Sequence, residues 1–206
     1  MFSDFFHHLT DLIYPKNPLI KRLETLGGTG LLKELPASKL SHINMRAVFA
    51  YKDKSARALI WEIKYRANKK LLRSAAEAML LEIGGVRPEN GLFLIPIPMH
   101  KDRRRVRGFN QSALLVEAML EKDTSLKNGE GLIEKVRKTQ PQSTLQREER
   151  RKNLAGAFRV VDSKAIAGRE FLLVDDVTTT GTTFAEISKV LKEAGAKKIS
   201  ALALAH

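Results

Sequence analysis

The stretch that decides the fold is FLLVDDVTTTGTT, residues 171–183. Its first four residues are apolar, which is typical of a strand in the interior of a sheet. Asp175 and Asp176 follow at the carboxyl end of that strand, where open α/β sheets bind their ligands. The small residues after them, with Gly181 free to adopt a positive φ, indicate a turn that leads into a helix. This order predicts an α/β sheet with a binding site at its edge.

The side chains of this turn suit a phosphorylated sugar. Two adjacent carboxylates can accept hydrogen bonds from the hydroxyls of a vicinal diol such as ribose. Backbone N–H groups at a helix start, with hydroxyls beside them, suit a phosphate monoester. The residues predicted to bind that phosphate are Thr178, Thr179, Thr180, Gly181, Thr182 and Thr183. The turn matches neither the P-loop nor the GxGxxG pattern. The alternative, that the aspartates only cap the helix, leaves two acids without a role at the end of an apolar strand.

Strands and helices alternate around this turn. We expect strands at 92–98, 131–137, 157–161, 171–177 and 197–205, and helices at 55–82 (with a break near 67–70), 111–122 and 183–194. The polar residues 138–153 suggest a mobile loop. Residues 1–36 form a distinct leader, broken by glycines. The pattern predicts a mainly parallel central sheet flanked by helices, with a small N-terminal cap.

The composition of the chain narrows the range of possible functions. The chain has 206 residues, a net charge of +13 and no cysteine, which leaves room for one domain and excludes disulfides, thiolate catalysis and Cys-ligated zinc. The five histidines show no ligand spacing, so we expect no structural metal. No segment predicts a membrane span or a signal peptide, and we expect a cytoplasmic protein. The charge favours polyanionic partners, although a solvated basic face is the alternative. Aromatic residues are 6%, which does not favour a stacking surface for single strands.

The turn also resembles a known motif. VDDVTTTGTT is similar to the phosphoribosyl-pyrophosphate (PRPP) motif of type I phosphoribosyltransferases. Three further segments resemble the ComF family (also called GntX or amidophosphoribosyltransferase-like) in the same order: FAYKDKSARALIWEIKYR (49–66), LIPIPMHKDRRRVRGFNQSALL (94–115) and KVRKTQPQSTLQREERRKNLAGAF (135–158). The resemblance predicts a type I phosphoribosyltransferase domain over residues 47–206. Residues 1–46 would be a degenerate leader, since they lack the zinc-ribbon cysteines with which such proteins usually begin.

The resemblance implies a role for each matching position. Asp175 and Asp176 would hold the ribose hydroxyls, directly or through Mg²⁺, and the threonine-rich turn would bind the 5′-phosphate. Residues 98–110 would form the pyrophosphate loop, with Arg103, Arg104, Arg105 and Arg107 as candidates. Arginine suits this task because its guanidinium group binds phosphate in bidentate fashion. Residues 138–153 would be the flexible catalytic loop, in which Lys138, Thr139, Gln140, Gln142, Arg147, Arg150 and Asn153 match the family. No general base is evident, so the catalytic residues stay unknown.

These implications predict a PRPP-binding phosphoribosyltransferase-like protein of the ComF family. It would transfer to an acceptor, or hydrolyse, at ribose C1 with release of pyrophosphate. Mg²⁺ and no zinc would accompany it, and a homodimer, DNA contact through the basic surface and a link to DNA uptake in competence are implied by the resemblance alone. A non-catalytic module that senses PRPP or binds nucleic acid is the alternative reading.

Overall fold

The computed structural model describes residues 17–42, 44–84, 88, 91–140 and 147–206; of Ser41, His42, Arg147 and Arg150 it describes the backbone alone. A six-stranded sheet forms the centre of the molecule. Its strands are β1 (Ser41–His42), β2 (Met45–Phe49), β3 (Leu92–Pro96), β4 (Lys127–Asn128), β7 (Glu170–Val177) and β8 (Lys198–Ala205). They lie in the order β1-β2-β8-β7-β3-β4. Every neighbouring pair is parallel except β1 and β2. The predicted α/β fold class is therefore confirmed.

Helices cover both faces of the sheet. They are α1 (Pro18–Thr25), α2 (Gly28–Glu34), α3 (Lys54–Arg66), α4 (Lys69–Ile83), α5 (Lys101–Arg107), α6 (Gln111–Lys122), α7 (Arg147–Leu154) and α8 (Thr182–Glu193). Side chains alternate along β7, so that Leu172 packs with α3, α4 and α6 while Leu173 packs with α8 on the other face. Helices therefore bury both faces of β7, while β3 and β8 pair with its two edges. These contacts hold the carboxyl end of the strand in place.

The break predicted near residue 67 separates α3 from α4. Asp53 begins α3 by accepting hydrogen bonds from the N–H groups of the first turn. Ala67 then adopts a left-handed conformation with φ 47°, and Asn68 caps α4. Gly84, with φ 69°, follows the last residue of α4, which agrees with the predicted stop.

The leader packs on the core where the structure describes it. Leu23 of α1 and Leu31 of α2 are fully buried. At Gly28 an added Cβ would lie 2.6 Å from the backbone nitrogen of Ala78, so α2 approaches α4 more closely than any larger residue would allow. Residues 1–16, where an amphipathic stretch is expected, lie outside the described residues.

Several segments differ from the sequence-based expectation, and the strands β1, β2 and β4 of the central sheet were not predicted. Residues 98–110, expected as a loop, contain α5, and the expected loop 138–153 ends in α7. Neither helix shows apolar periodicity, because α5 buries no side chain and α7 is almost wholly charged. In addition, β5 (Ile133–Lys135) and β6 (Phe158–Val160) pair antiparallel with each other in a separate small sheet. None of the described helices has the length and apolar character needed to cross a membrane.

Candidate functional site

The aspartate pair lies where β7 reaches the carboxyl edge of the sheet. Asp175 Oδ1 accepts a hydrogen bond of 2.7 Å from the Ser112 hydroxyl at the start of α6. Asp176 is buried, and its Oδ1 accepts from the N–H of Val177 at 2.8 Å. The second oxygen, Asp176 Oδ2, is buried and finds no hydrogen-bond partner among the described residues. A buried carboxylate oxygen without a donor is costly, which is typical of a group that awaits a ligand.

The environment of Asp175 disfavours its charged form. Burial raises the pKa of this carboxyl well above its usual range, and the neighbouring carboxylate of Asp176 raises it further. The hydrogen bond from Ser112 acts in the opposite direction. The pair therefore concentrates negative charge in a poorly solvated place, where a cation or the hydroxyls of a ligand would relieve the strain.

The turn after β7 has the geometry expected for an anion-binding loop. Gly181 has φ 69° and lies at the N-cap of α8, which no side chain caps. The N–H groups of the first helical turn therefore depend on another acceptor. Thr180 and Thr182 bring their hydroxyl oxygens within 2.7 Å of each other, while Thr178 is buried. The Thr179 carbonyl lies 3.0 Å from His206 Nε2.

The four candidate arginines lie on α5 and do not share one environment. His100 caps this helix through Nδ1, and Gly108, with φ 86°, ends it. Arg107 Nη1 donates to Gln111 Oε1 at 2.8 Å, and its guanidinium lies 5.7 Å from the ring centre of Tyr65. Arg103, Arg104 and Arg105 are all exposed, but among them only Arg103 lies close enough to Lys135 for its charge to lower the pKa of that side chain.

Lys135, at the end of β5, interacts electrostatically both with the acidic turn and with two arginines. Burial, together with the charges of Arg103 and Arg137, lowers the pKa of Lys135 to about 8. The charge of Asp175 acts in the opposite direction, so the two side chains are close enough to interact. Lys135 Nζ donates to Thr139 Oγ1 at 2.7 Å and lies 5.5 Å from the ring centre of Phe158. The ammonium group is therefore held in place near enough to Asp175 to interact with its charge.

The expected flexible loop begins and ends in one hydrogen-bonded clamp. The Asn153 side chain accepts from the Gln140 N–H and donates to the Gln140 carbonyl, both at 3.1 Å. Lys138 Nζ lies 3.6 Å from Asp102 of α5, which connects the loop to the arginine helix. Gln142 and the side chains of Arg147 and Arg150 lie outside the described residues.

Comparison with known proteins identifies the family to which the chain belongs. Residues 124–206, which contain the loop, both aspartates and the threonine turn, match the phosphoribosyl transferase domain family. Competence protein F of Haemophilus influenzae is 34% identical over 72% of this chain and 66% of its own length. The DNA utilization protein YhgH of Escherichia coli O157:H7 is 34% identical over 68% of this chain and 63% of its own length. The chain belongs to the ComF family.

Other relatives are more distant. Competence protein ComFC of Bacillus subtilis is 28% identical over 73% of this chain. This ComF-family chain spans 66%, 63% and 58% of the lengths of these three relatives. Among solved structures, a hypoxanthine phosphoribosyltransferase from Staphylococcus aureus is 14% identical over 71% of this chain and 62% of that one, with a TM-score of 0.34. The enzyme from Trypanosoma cruzi with the product IMP is 13% identical over 80% of this chain and 68% of that one, also with a TM-score of 0.34.

Two residues of the site were not singled out in the sequence. Ser112 and Lys135 both lie within the segments that resemble the ComF family, but nothing in their local spacing marks a site. Ser112 is 63 residues from Asp175 in the chain, and Lys135 is in a different sheet. Only the fold brings them to the aspartates. Their presence in segments that resemble the family was the one available signal.

The acidic pair provides ligand atoms of the kind that a magnesium ion takes. Among the described residues no group of three or more His, Cys, Asp or Glu side chains could hold a metal. Mg²⁺ is usually held by one or two carboxylates and completes its shell with water and substrate phosphates. The unpartnered oxygen of Asp176 provides such a ligand atom. The residues present therefore fit an ion that arrives with a phosphorylated substrate.

Proposed function

We propose that this chain binds PRPP with Mg²⁺ and transfers the phosphoribosyl group to an acceptor, or to water, with release of pyrophosphate. The observation that carries the proposal is a buried carboxylate with one unpartnered oxygen, Asp176, five residues before an uncapped helix start at Gly181, together with the half-buried cation Lys135, which interacts with Asp175. The carboxylate suits a sugar diol, the helix start suits a phosphate monoester, and the cation suits a pyrophosphate.

Each end of PRPP would have its own partners. Asp175 and Asp176 would accept hydrogen bonds from the ribose hydroxyls and hold Mg²⁺, which neutralises charge on the leaving pyrophosphate when it is bound. The α8 N–H groups and the hydroxyls of Thr180 and Thr182 would hold the 5′-phosphate. Of the four candidate arginines, Arg103 is best placed for the pyrophosphate, since it acts on Lys135.

The reaction needs little proton chemistry at the leaving group. The bond from C1 to the pyrophosphate oxygen breaks, the electron pair stays on that oxygen, and the acceptor forms a new bond to C1. Lys135 and Arg103 would stabilise the charge on the departing group. By its resemblance to the flexible catalytic loop of the family, the segment 138–153, whose described residues Gln140 and Asn153 are joined by two hydrogen bonds, would exclude water during the reaction.

The names of the relatives connect this proposal with competence and DNA utilization. We therefore propose a role in the handling of DNA for this chain as well, with contact through its basic surface. A homodimer, which the family resemblance implies, stays a prediction, as does the division at residue 46.

Calorimetric titration of Asp176→Asn with PRPP and Mg²⁺ tests the proposal. The substitution removes the charge of a buried group that would touch the ligand, so we expect affinity to fall by roughly tenfold to a hundredfold. Asp162→Asn is the matched control, since it makes the same chemical change at an exposed carboxylate. Unchanged affinity in Asp176→Asn would exclude the assigned role.

A pyrophosphate-release assay separates transfer from simple binding. It would present bases, amines and nucleic-acid ends as acceptors, with water as the reference. Tight PRPP binding without pyrophosphate release under any condition would favour the non-catalytic, PRPP-sensing alternative.

A further inference from the structure

Two large aromatic side chains lie exposed next to each other on α3. Trp61 is 48% exposed and Tyr65 is 56% exposed, one turn apart on the helix. Their ring centres are 5.5 Å apart, with an angle of 46° between the ring planes. Large exposed rings are uncommon on a surface that meets only water. Both rings point away from the core, so packing does not explain their presence.

Cations surround this aromatic pair. The Arg66 guanidinium lies 5.2 Å from the ring centre of Trp61. The Tyr65 ring has Arg107 at 5.7 Å and Lys64 at 6.0 Å. Trp61 also shares its helix face with two exposed cations, Lys54 and Arg57, at spacings of seven and four residues. We call this surface, made by Lys54, Arg57, Trp61, Lys64, Tyr65, Arg66 and Arg107, the aromatic–basic face.

The helix α3 itself exposes no carboxylate on this face, and Asp53, which precedes it, accepts hydrogen bonds from the N–H groups of its first turn. The one carboxylate of α3, Glu62, is 3% exposed and pairs with Arg66 at 3.4 Å on the inner side of the helix. A symmetric contact between two copies of the chain through this face would bring two basic surfaces together, and their like charges would repel. A partner must therefore carry negative charge and offer flat apolar surfaces at the same time.

We propose that the aromatic–basic face binds single-stranded nucleic acid. Unpaired bases would stack on Trp61 and Tyr65, and the phosphates between them would pair with the surrounding arginines and lysines. A duplex would not fit equally well, because its bases are already stacked on one another. The 6% aromatic content does not forbid such a surface, since two rings on one helix face are enough for it.

The location of the face connects it with the site at the sheet edge. Arg107 lies between Tyr65 and Gln111, and the residue after Gln111 is Ser112, which donates to Asp175. A bound strand would therefore run close to the proposed PRPP site. The binding proposal itself does not depend on PRPP, so the two can fail separately.

Trp61 is the one tryptophan of the chain, which makes its fluorescence a direct probe of this face. The full chain would be titrated with a deoxythymidine oligomer, a uridine oligomer and a duplex of equal length. We expect the single strands to quench the Trp61 fluorescence and the duplex to bind more weakly. The two oligomers distinguish DNA from RNA as the source of the strand, and quenching by either one supports the proposal. Equal affinity for duplex and single strand would overturn it.

Substitutions test whether stacking contributes. With labelled oligomers and anisotropy as the readout, Trp61→Ala and Tyr65→Ala should each weaken binding about tenfold or more, while Trp61→Phe should keep most of the affinity. Leu81→Ala is the control, because Leu81 is 52% exposed on α4 and has no ring. Circular dichroism would check that each variant is folded. Parental affinity in folded Trp61→Ala would overturn the proposal.

Self-association is the competing use of an exposed aromatic pair. Sedimentation of the parent and of Trp61→Ala would reveal it. A parent dimer that becomes a monomer in Trp61→Ala, with oligomer binding unchanged, would show that the face joins two copies of the chain and would overturn the proposal. An unchanged oligomeric state with weakened oligomer binding is the result we expect.

Discussion

The acidic turn of β7 (Asp175 and Asp176) and the basic group around Lys135 (Lys135, Arg103 and Arg137) carry opposite charges. In both, the surroundings disfavour the charged form of one side chain. In the turn, burial and a second carboxylate disfavour the charge of Asp175. In the basic group, burial and two guanidinium groups disfavour the charge of Lys135. The two regions meet where Lys135 and Asp175 interact, but that single contact does not remove either cost. Each region is therefore best stabilised by a ligand of the opposite charge.

A ligand such as Mg²⁺ with PRPP would satisfy both regions at once. The cation and the ribose hydroxyls suit the acidic turn, and the phosphates suit the basic group. Sites of this kind often lower the stability of the free protein, because the groups that bind the ligand are strained without it. The comparison predicts that some substitutions will harm binding and improve stability together.

Among the substitutions that test this comparison, Lys135→Met should have the largest effect, because it removes the cation from the basic group. We expect its affinity for PRPP to fall about tenfold, as for the loss of one charged hydrogen bond. Since the pKa of Lys135 is about 8, the ammonium group loses its proton as the pH rises through that value. The affinity of the parent protein should therefore fall over the same range.

Lys135→Arg is the control for that experiment, because arginine keeps its charge throughout this pH range. It should bind PRPP with little dependence on pH above about 8. Titration calorimetry at several pH values measures both effects. A parent affinity that does not change with pH would show that Lys135 makes no contact with the ligand.

Asp175→Asn should have a smaller effect, and it should stabilise the folded protein. Because the pKa of Asp175 is raised in the folded protein, ionisation of this carboxyl destabilises the folded state. The loss of stability develops as the pH rises from the usual pKa of 3.8 to the pKa in the folded protein. At neutral pH the amide avoids this cost and still accepts from Ser112, so the free energy of unfolding should rise by about 1 kcal/mol. Below the usual value both states are protonated and the difference should disappear.

Chemical denaturation at neutral and acidic pH measures this difference. Asp162→Asn, at an exposed carboxylate, should change the unfolding free energy by less than about 0.5 kcal/mol. If Asp175→Asn were less stable than the parent at neutral pH, the acidic turn would not be a strained region, and the comparison would fail.

The smallest effect concerns the arginines of α5. Arg103→Ala should raise the pKa of Lys135 toward its usual value of 10.5, because one of the charges that lowers it is removed. Arg105→Ala should leave it unchanged, since Arg105 is not among the charges acting on Lys135. Nuclear magnetic resonance of the Lys135 side chain would follow the titration. Equal pKa values of Lys135 in both variants would mean that Arg103 and Arg105 do not differ in their action on Lys135.

Local patterns predicted the elements that bury a regular apolar face. The helix 111–122 and the strand 171–177 were predicted within a residue of their bounds, because buried faces repeat with the period of the element. The helices α5 and α7 were missed for the same reason. They bury little, and α5 depends on its caps at His100 and Gly108 rather than on a core.

The sequence by itself determined the acidic turn, because Asp175, Asp176 and Gly181 follow one another within a few residues and their geometry is set locally by a buried strand and a helix start. Only the tertiary structure decided what faces that turn. Ser112 and Lys135 come from distant segments, and the contact of Tyr65 with Arg107 depends on how α3 packs beside α5. Contacts between distant segments depend on the packing of whole elements, which a local pattern does not encode.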